Sequence, residues 1–320
     1  MKSDEIYDAV TNIRSDIIDG AENIKAAKKH RRALKWVAAA AAALVILAAG
    51  GVLLIPDSTG ESAISGQGGT GKPGDFDSDL SKYAVVEAQY PKMSPYPDES
   101  AFINDLTGVF DSDGFDKVYD AWRSDLTAQR AHEEGYDEGL DEFTEKLISE
   151  LLTGAKKENR VCSPLNIYMA LGMLAETTDG SSRQQILDLL GADSIDTLRE
   201  RADTLWNTSY CDDGATTSVL ASSLWLNEDV TFKEKVLDQL AQTYYASSFS
   251  GEMGSDGMNS AFRSWLNEQT GGMLEGQIGE LELDPRTELA LATTIYFRAK
   301  WYDKFFADAT EAGVFHGADG

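Results

Sequence analysis

Histidine and cysteine are scarce in this sequence of 320 residues, and that scarcity excludes several kinds of site. The three histidines, His30, His132 and His316, lie far apart, and none has a second His or Cys at metal-ligand spacing. Cys162 and Cys211 lack CxxC spacing and are too few for a disulfide scaffold. We predict two separate, small, buried cysteines, and the sequence leaves open whether they pair.

Basic residues are also scarce, with 28 Lys and Arg against 54 Asp and Glu, which gives a formal net charge of −26. This balance argues against a nucleic-acid partner, because phosphate backbones are bound by patches of Lys and Arg. Anionic membrane surfaces are equally poor partners for the bulk of the chain. We interpret the charge as a means of staying soluble in an exposed setting.

Catalytic motifs are missing as well, since no GxSxG, HExxH or CxxC sequence occurs. Carboxylates are so abundant that a neighbouring pair of them carries no information. We therefore predict that the chain is not an enzyme and uses no cofactor and no metal. The sequence "NTS" at 207–209 fits a glycan acceptor, but we interpret it as part of a helix end.

One long apolar run is present, "WVAAAAAALVILAAGGVLLI" at 36–55, and it carries no charge along its whole length. As a helix it spans about 30 Å, the thickness of a bilayer core. Five basic residues crowd into 28–35, so the positive-inside rule predicts a transmembrane helix with a cytoplasmic N-terminus and an exported body. A cleavable signal peptide is the alternative, because alanine-rich runs can supply cleavage sites.

The remaining segments follow from composition and periodicity. A Gly-, Ser- and Asp-rich stretch predicts a flexible linker. After it, an apolar stripe predicts a helix packed on the main body, formed by Phe115, Val118, Tyr119, Trp122 and Leu126. The predicted organisation is a cytoplasmic segment, a transmembrane helix, a linker, an N-terminal extension of the exported part and a main domain, at 1–35, 36–55, 56–79, 80–138 and 139–320.

The main domain begins with helical patterns. An amphipathic helix that ends near Gly154 is predicted within 139–160, and a helix that is apolar nearly all round follows over 161–180. Ser163 suits the N-cap of that second helix, Pro164 its first position and Gly180 its end. A third helix is predicted to start at a capping box and to stop at a glycine, with Ser182, Gln185 and Gly191 in these places. A fourth covers 197–208.

After residue 215 the spacing of the apolar residues changes from the helical period to the alternation of a strand. Strands are predicted over 216–227 and 287–298, a turn and a helix between them over "VTFKEKVLDQLAQTYYASSF", and a further helix over "MNSAFRSWLNEQTGG". Because helices cluster early and strands appear later, the fold class is α+β. The last strand places a threonine, Thr293, in the middle of the face that should be buried, which it shares with Leu289, Leu291, Ile295 and Phe297.

Four of these segments resemble the serpin family in content and order. They are "NRVCSPLNIYMALGMLAETTDGSSRQQILDLLG", "SSLWLNEDVTFKEKVLDQLAQTYYASSF", "MNSAFRSWLNEQTGGMLEGQI" and "LATTIYFRAKWYDKFFADATEAGVFH". The resemblance covers 139–320, about the first half of a serpin domain, and the anchor and extension resemble those of bacterial membrane-anchored members. It implies a fold of helices and a large mixed or antiparallel sheet, whose C-terminal part is expected to lie beyond residue 320.

The resemblance also implies a function. A serine or cysteine protease cleaves an exposed reactive loop, which then inserts as a strand into the large sheet and traps the protease. We expect the full-length form to be a membrane-anchored extracellular inhibitor, and this chain alone, which lacks the reactive loop, not to inhibit. The alternative is a non-inhibitory, serpin-like surface binding protein. A heparin-type cofactor is not expected, because the corresponding helix is acidic at Asp193, Asp196, Glu200 and Asp203.

Two groups of site residues carry over from the resemblance. The breach, where loop insertion begins, matches Trp301, Thr310 and Phe315. The shutter, a polar cluster beneath the centre of the sheet, matches Ser163, Asn166 and Thr293. Asn166 stands where a serine is customary and Thr293 where an asparagine is, so a hydroxyl and an amide have traded places, which leaves the hydrogen-bonding inventory intact or alters the gating.

Overall fold

One mixed sheet with helices packed against it forms the main body in the computed structural model, which describes residues 47–49, 80–104, 106–152, 162–299 and 310–314. The helices are α1 (Ser112–Gln129), α2 (Leu140–Leu152), α3 (Pro164–Thr177), α4 (Gly180–Leu189), α5 (Ile195–Ser209), α6 (Glu234–Thr243) and α7 (Asp256–Gln269). The strands are β1 (Leu47–Ala49), β2 (Ala84–Val86), β3 (Cys211–Asp212), β4 (Thr216–Asn227), β5 (Ala246–Gly251) and β6 (Leu289–Ala299). The predicted α+β class is confirmed.

The strands lie in the order β1-β6-β4-β5-β2, and β3 pairs with the start of β4. The long central pair, β4 and β6, is antiparallel, whereas β4 and β5 are parallel. Every residue from Val219 to Leu226 of β4 is buried, so both faces of the sheet are covered there. Helix α7 covers the face that carries Trp225, whose ring contacts those of Phe262 and Trp265.

Helix α3 is the centre of the helical layer. It packs against α2, α4, α5, α6 and β6. Its start is as predicted: Ser163 is the N-cap, its hydroxyl accepts from the backbone N–H of Asn166, and Pro164 occupies the first turn. Because partners surround it, every residue from Tyr168 to Ala175 is buried, as the all-round apolar pattern predicts.

The junction between α3 and α4 differs from the prediction. Helix α3 ends at Thr177, and Gly180, with φ of 59°, begins the next helix instead of ending the first. The N-cap of α4 is Asp179, so the predicted cap, Ser182, lies inside the helix and is buried. Two capping residues compete here, and the earlier one starts the helix as soon as α3 has ended. The predicted stop holds, since Gly191 has φ of 64°.

Strand β5 is absent from the sequence-based prediction, which continues the preceding helix through it. Helix α6 ends at Thr243, and Tyr245 turns the chain with φ of 49°, the one non-glycine residue with positive φ in the described ranges. Strand β5 then pairs with β4. A non-glycine residue in the left-handed region leaves no sequence signal, which is why the strand escapes prediction.

The N-terminal extension joins the same sheet and adds a helix outside it. Strand β2 pairs with β5, and the carbonyl of Tyr83 accepts from the backbone N–H of Ser250 at 2.8 Å. The predicted helix is α1, but none of its residues is buried, and Val118 of the stripe is 46% exposed. The stripe therefore forms a half-covered surface, not a second core.

The predicted transmembrane helix at 36–55 lies outside the described residues, except for Leu47–Ala49. Those three residues form β1, which pairs in parallel with β6, so a strand stands there instead of a helix. An uncharged run of small residues can pair along a strand whose edge groups would otherwise be unsatisfied. In the described ranges no helix combines the length and the apolar character needed to cross a bilayer.

Candidate functional site

The start of α3 holds two of the three residues predicted for the shutter. The Ser163 hydroxyl donates to Asn166 Oδ1 at 3.0 Å, and the same hydroxyl caps the helix by accepting from the Asn166 backbone. Asn166 is fully buried, and its Nδ2 has no hydrogen-bond partner among the described residues. Ser163 and Asn166 are thus hydrogen-bonded to each other, whereas the amide nitrogen of Asn166 has no partner among the described residues.

The third predicted residue, Thr293, lies at the centre of β6. It is 1% exposed, and its hydroxyl has no partner in the described part of the chain. It stands directly opposite Ser222 of β4, so the two side chains share a face of the sheet. The hydroxyl of Ser222 is buried and unpartnered too. No hydrogen bond joins Asn166 Nδ2 to the Thr293 hydroxyl, although α3 packs against β6.

The hydroxyls extend across the sheet. Thr294 and Ser248 are fully buried and also lack partners among the described residues. Their neighbours are satisfied, because Ser223 accepts from Trp225 Nε1 at 2.8 Å and Ser247 accepts from the backbone N–H of Ala88 at 3.1 Å. The centre of the sheet therefore carries a belt of six hydroxyls, three on each face, in which four are unpaired among the described residues, namely Ser222, Ser248, Thr293 and Thr294.

An unpaired buried hydroxyl lowers the stability of a packed sheet by about 1–3 kcal/mol. Such a group also has a free donor and acceptor for a backbone that moves past it. The hydroxyls of the belt can thus hydrogen-bond to the strands in more than one arrangement, whereas apolar side chains in the same places could not.

The two ends of β6 differ. Ala290 to Thr294 are buried, but Ile295 and Phe297 are 42% and 69% exposed. The predicted buried face therefore holds only as far as Thr293, since the described residues provide no cover beyond it. Of the predicted breach, Trp301 and Phe315 lie outside the described residues, and Thr310 is exposed and lies outside any helix or strand.

Residues that the sequence did not reveal lie around the same helix. Glu176, near the end of α3, is buried, and Arg199 of α5 binds it through two nitrogens at 2.7 Å each. Burial, and then the charge of Glu176, raise the pKa of Tyr244 well above its usual value. The two adjacent serines inside the apolar run "VLASSLWL" are a signal for Ser222, but no local pattern pairs Glu176 with Arg199.

The other predicted features can also be located. Both cysteines are free thiols, but only Cys211 is buried as predicted, whereas Cys162 is half-buried. Burial, together with the nearby Asp213, raises the pKa of Cys211 to about 11. Asn207 of the "NTS" sequence lies in α5, and its Nδ2 donates to Asp203 and to the Tyr245 hydroxyl. This confirms its interpretation as part of a helix end. No cluster of His, Cys, Asp or Glu able to hold a metal occurs within the described ranges.

Comparison with known proteins gives the family. The model of the family described as "Serpin (serine protease inhibitor)" matches residues 138–320, more than half of the chain. The chain belongs to the serpin family. This membership agrees with the prediction that the chain is not an enzyme, because the matched family is described as one of inhibitors.

The relatives show how much of a serpin the chain spans. Serpin-ZX of Arabidopsis thaliana is 26% identical over 175 residues, which is 53% of this chain and 45% of that protein. Alpha-2-antiplasmin of Bos taurus is 31% identical over 177 residues, or 54% and 34%. The structure of Arabidopsis AtSerpin1 in its native stressed conformation matches with a TM-score of 0.51 and 25% identity, over 59% of this chain and 50% of that one. The chain spans less than half the length of these curated relatives.

Proposed function

We propose that a serpin containing these residues together with a reactive loop inhibits a serine or cysteine protease by inserting the cleaved loop into the sheet. The observation that carries the proposal is the belt of unpaired hydroxyls at the centre of β4, β5 and β6. Burying such groups without partners is unfavourable. A sheet that must part and accept a further strand has a use for them, because they can bond to either arrangement.

The shutter is proposed to consist of Ser163, Asn166 and Thr293, joined by Ser222 on the opposite strand. Asn166 anchors the cluster to α3 through Ser163. Asn166 Nδ2 on the helix is a donor and the Thr293 hydroxyl on the sheet can accept, and neither has a partner among the described residues. The exchange of hydroxyl and amide relative to the customary pattern therefore keeps the inventory that parting strands need. The breach residues Trp301, Thr310 and Phe315 remain part of the proposal.

The location proposed for this serpin is the cell surface of a bacterium, with residues 36–55 as a retained anchor and the body outside, an arrangement in which Leu47–Ala49 leave β6 and lie in the membrane. The support is the long uncharged run and the basic cluster on its N-terminal side. Membrane flotation of the expressed protein, followed by external proteolysis of intact cells, tests both points. Recovery of the body as a free secreted species would contradict the anchor and favour a cleaved signal peptide.

The inhibitory function is tested by incubating a serpin that contains this chain and a reactive loop with a broad panel of serine and cysteine proteases. We expect a complex that survives SDS and a stoichiometric loss of protease activity with at least one of them. The present chain alone is the control and should give neither. If no protease in the panel forms such a complex, the inhibitory function is wrong and a non-inhibitory binding role takes its place.

A further inference from the structure

The N-terminal extension contains a groove whose charge differs from that of the rest of the molecule. It lies along the C-terminal half of α1, has a volume of about 640 Å³ and is formed by residues between 119 and 132, outside the stretch that matches the serpin family. None of the side chains that line it is acidic, although acidic residues outnumber basic ones 54 to 28 in the chain. Three of them, Arg123, Arg130 and His132, are basic.

The basic side chains lie on the same side of the helix as an apolar floor. Tyr119, Trp122, Leu126 and Arg130 are spaced three or four residues apart, so they project from one face of α1 and its cap. The rings of Tyr119 and Trp122 lie 5.4 Å apart at a 40° tilt. The groove thus offers an aromatic and aliphatic floor with cationic groups at its edge, the combination expected of a ligand pocket.

The two arginines of the groove, Arg123 and Arg130, are not paired with a carboxylate among the described residues. Arg130 Nε and Trp122 Nε1 are buried donors with no hydrogen-bond partner there. His132 Nδ1 lies 2.8 Å from the carbonyl of Arg130, to which it donates because a carbonyl only accepts.

No carboxylate lines the groove, although Arg130 also lies near Cys211, which is close to Asp213. Asp125, on α1, accepts from the Ser94 hydroxyl at 2.5 Å and lines a different groove on the other side of Trp122. The negative end of the α1 dipole lies close to Arg130 and opposes an anion weakly, but two guanidinium groups outweigh a partial charge of about one half.

We propose that this groove binds an amphipathic carboxylate, in which one carboxylate group is attached to an aromatic or branched aliphatic body. The body lies on Trp122, Tyr119 and Leu126, and the carboxylate accepts from Arg123 and Arg130. Guanidinium groups bind carboxylates through directed, charge-assisted hydrogen bonds. The source of the group is either a free organic acid or the carboxyl terminus of a polypeptide.

The test is an NMR titration of the chain with 3-phenylpropionate, following the indole N–H signals of the six tryptophans. A Trp122→Phe variant assigns the signal of Trp122. We expect the Trp122 signal to shift and the shift to saturate as ligand is added. The neutral analogue 3-phenylpropionamide should bind at least about tenfold more weakly, because the loss of one charge-assisted hydrogen bond weakens binding by about this factor. Arg123→Gln and Arg130→Gln should each weaken binding by a similar factor.

The matched control is Arg286→Gln, which removes an exposed arginine paired with Asp284, far from α1 in sequence. It should leave the affinity unchanged. Arg123 is exposed, so its variant should fold normally and the comparison remains valid if the Arg130 variant does not. Equal binding of acid and amide, no shift of the Trp122 signal, or no saturation at about 10 mM ligand would each overturn the proposal.

A second arm distinguishes the two sources. A short peptide ending in a free Phe carboxylate is compared with the same peptide amidated at its C-terminus. Tighter binding of the free peptide than of 3-phenylpropionate assigns the groove to a polypeptide terminus, and weaker binding assigns it to a small acid. The inhibitory function is measured separately, so its failure does not affect this result.

Discussion

Helices α1 and α3 both carry large apolar side chains, along one stripe in α1 and nearly all round in α3. The two helices differ in how much of this apolar surface is buried. Helix α3 buries most of its residues, ten in all, whereas α1 buries none. The difference comes from the neighbours: α3 contacts four helices and a strand, but α1 has the short 3-10 helix Glu99–Phe102 before it and Tyr210, the residue that caps the end of α5, beside it. An apolar stripe therefore predicts a helix, while the number of elements around it decides whether the stripe becomes core.

The largest effect is expected from deleting a side chain at the centre of α3. Met173 is fully buried, so Met173→Ala removes apolar contacts and leaves a cavity. We expect the free energy of unfolding to fall by about 2–5 kcal/mol. Chemical denaturation followed by circular dichroism measures it. A loss below about 1 kcal/mol, well under the range for a buried methionine, would mean that α3 is not the rigid core that its burial indicates.

The next effect concerns the buried carboxylate of α3. Glu176→Leu leaves Arg199 without its two-bond partner, and we expect a loss of about 2 kcal/mol, less than for a fully buried pair because Arg199 is 31% exposed. Adding Arg199→Leu should recover part of the loss in a double-mutant cycle. Asp196→Ala is the matched control, since it removes an exposed partner of the same arginine and should change stability by less than about 0.5 kcal/mol.

A smaller effect separates packing from helix propensity in α3. Alanine favours a helix over glycine by about 1 kcal/mol, so Gly172→Ala would stabilise an isolated helix. A Cβ at this position, however, would stand 2.6 Å from the ring of Tyr244. We expect a net loss of about 1–2 kcal/mol, because a ring in a packed core cannot move away freely. If Gly172→Ala stabilises the protein, the ring of Tyr244 must move aside to make room for the added methyl group. In a Tyr244→Ala background, where the ring is absent, Gly172→Ala should raise the free energy of unfolding because of the higher helix propensity of alanine.

The same tyrosine predicts how stability depends on alkaline pH. Burial, and then the charge of Glu176, raise the pKa of the Tyr244 hydroxyl above its unfolded value of about 10. The contribution of the neutral Tyr244 hydroxyl to stability is complete below about pH 10, the unfolded pKa. It is lost as the pH rises from the unfolded toward the folded pKa, because between these two values only the phenol of the unfolded chain ionises. The melting temperature should therefore fall less steeply between about pH 9 and 11 in Tyr244→Phe. Parallel curves for the two proteins would contradict this assignment.

Some parts of the structure can be predicted from short stretches of the sequence, and others cannot. Helix α3 is predicted with its cap because Ser163, Pro164 and an all-round apolar run signal burial within one short stretch. Strands β4 and β6 are predicted because alternation is local too. Strand β5 escapes prediction because its start depends on Tyr245 adopting a left-handed conformation, which tertiary packing imposes.

The candidate site is predicted less completely for the same reason. Thr293 stands out as a polar residue in an apolar strand, and the structure buries it as expected. Its partner across the sheet, Ser222, is set by register between strands that are distant in sequence, which no local pattern records. The groove on α1 escapes prediction because the stripe is interpreted as core, although its arginines lie at the spacing that places them beside the aromatic residues.

The smallest effect is expected in α1, and it tests the comparison most directly. Val118 belongs to the stripe that predicts packing, but it is 46% exposed, and alanine has the higher helix propensity. Val118→Ala should therefore change the free energy of unfolding by less than about 0.5 kcal/mol, with either sign. Measured beside Met173→Ala under identical conditions, it compares one apolar deletion in each helix. A loss at Val118 as large as that expected for a buried side chain would mean that a partner element covers α1, and the stripe would then be a core after all.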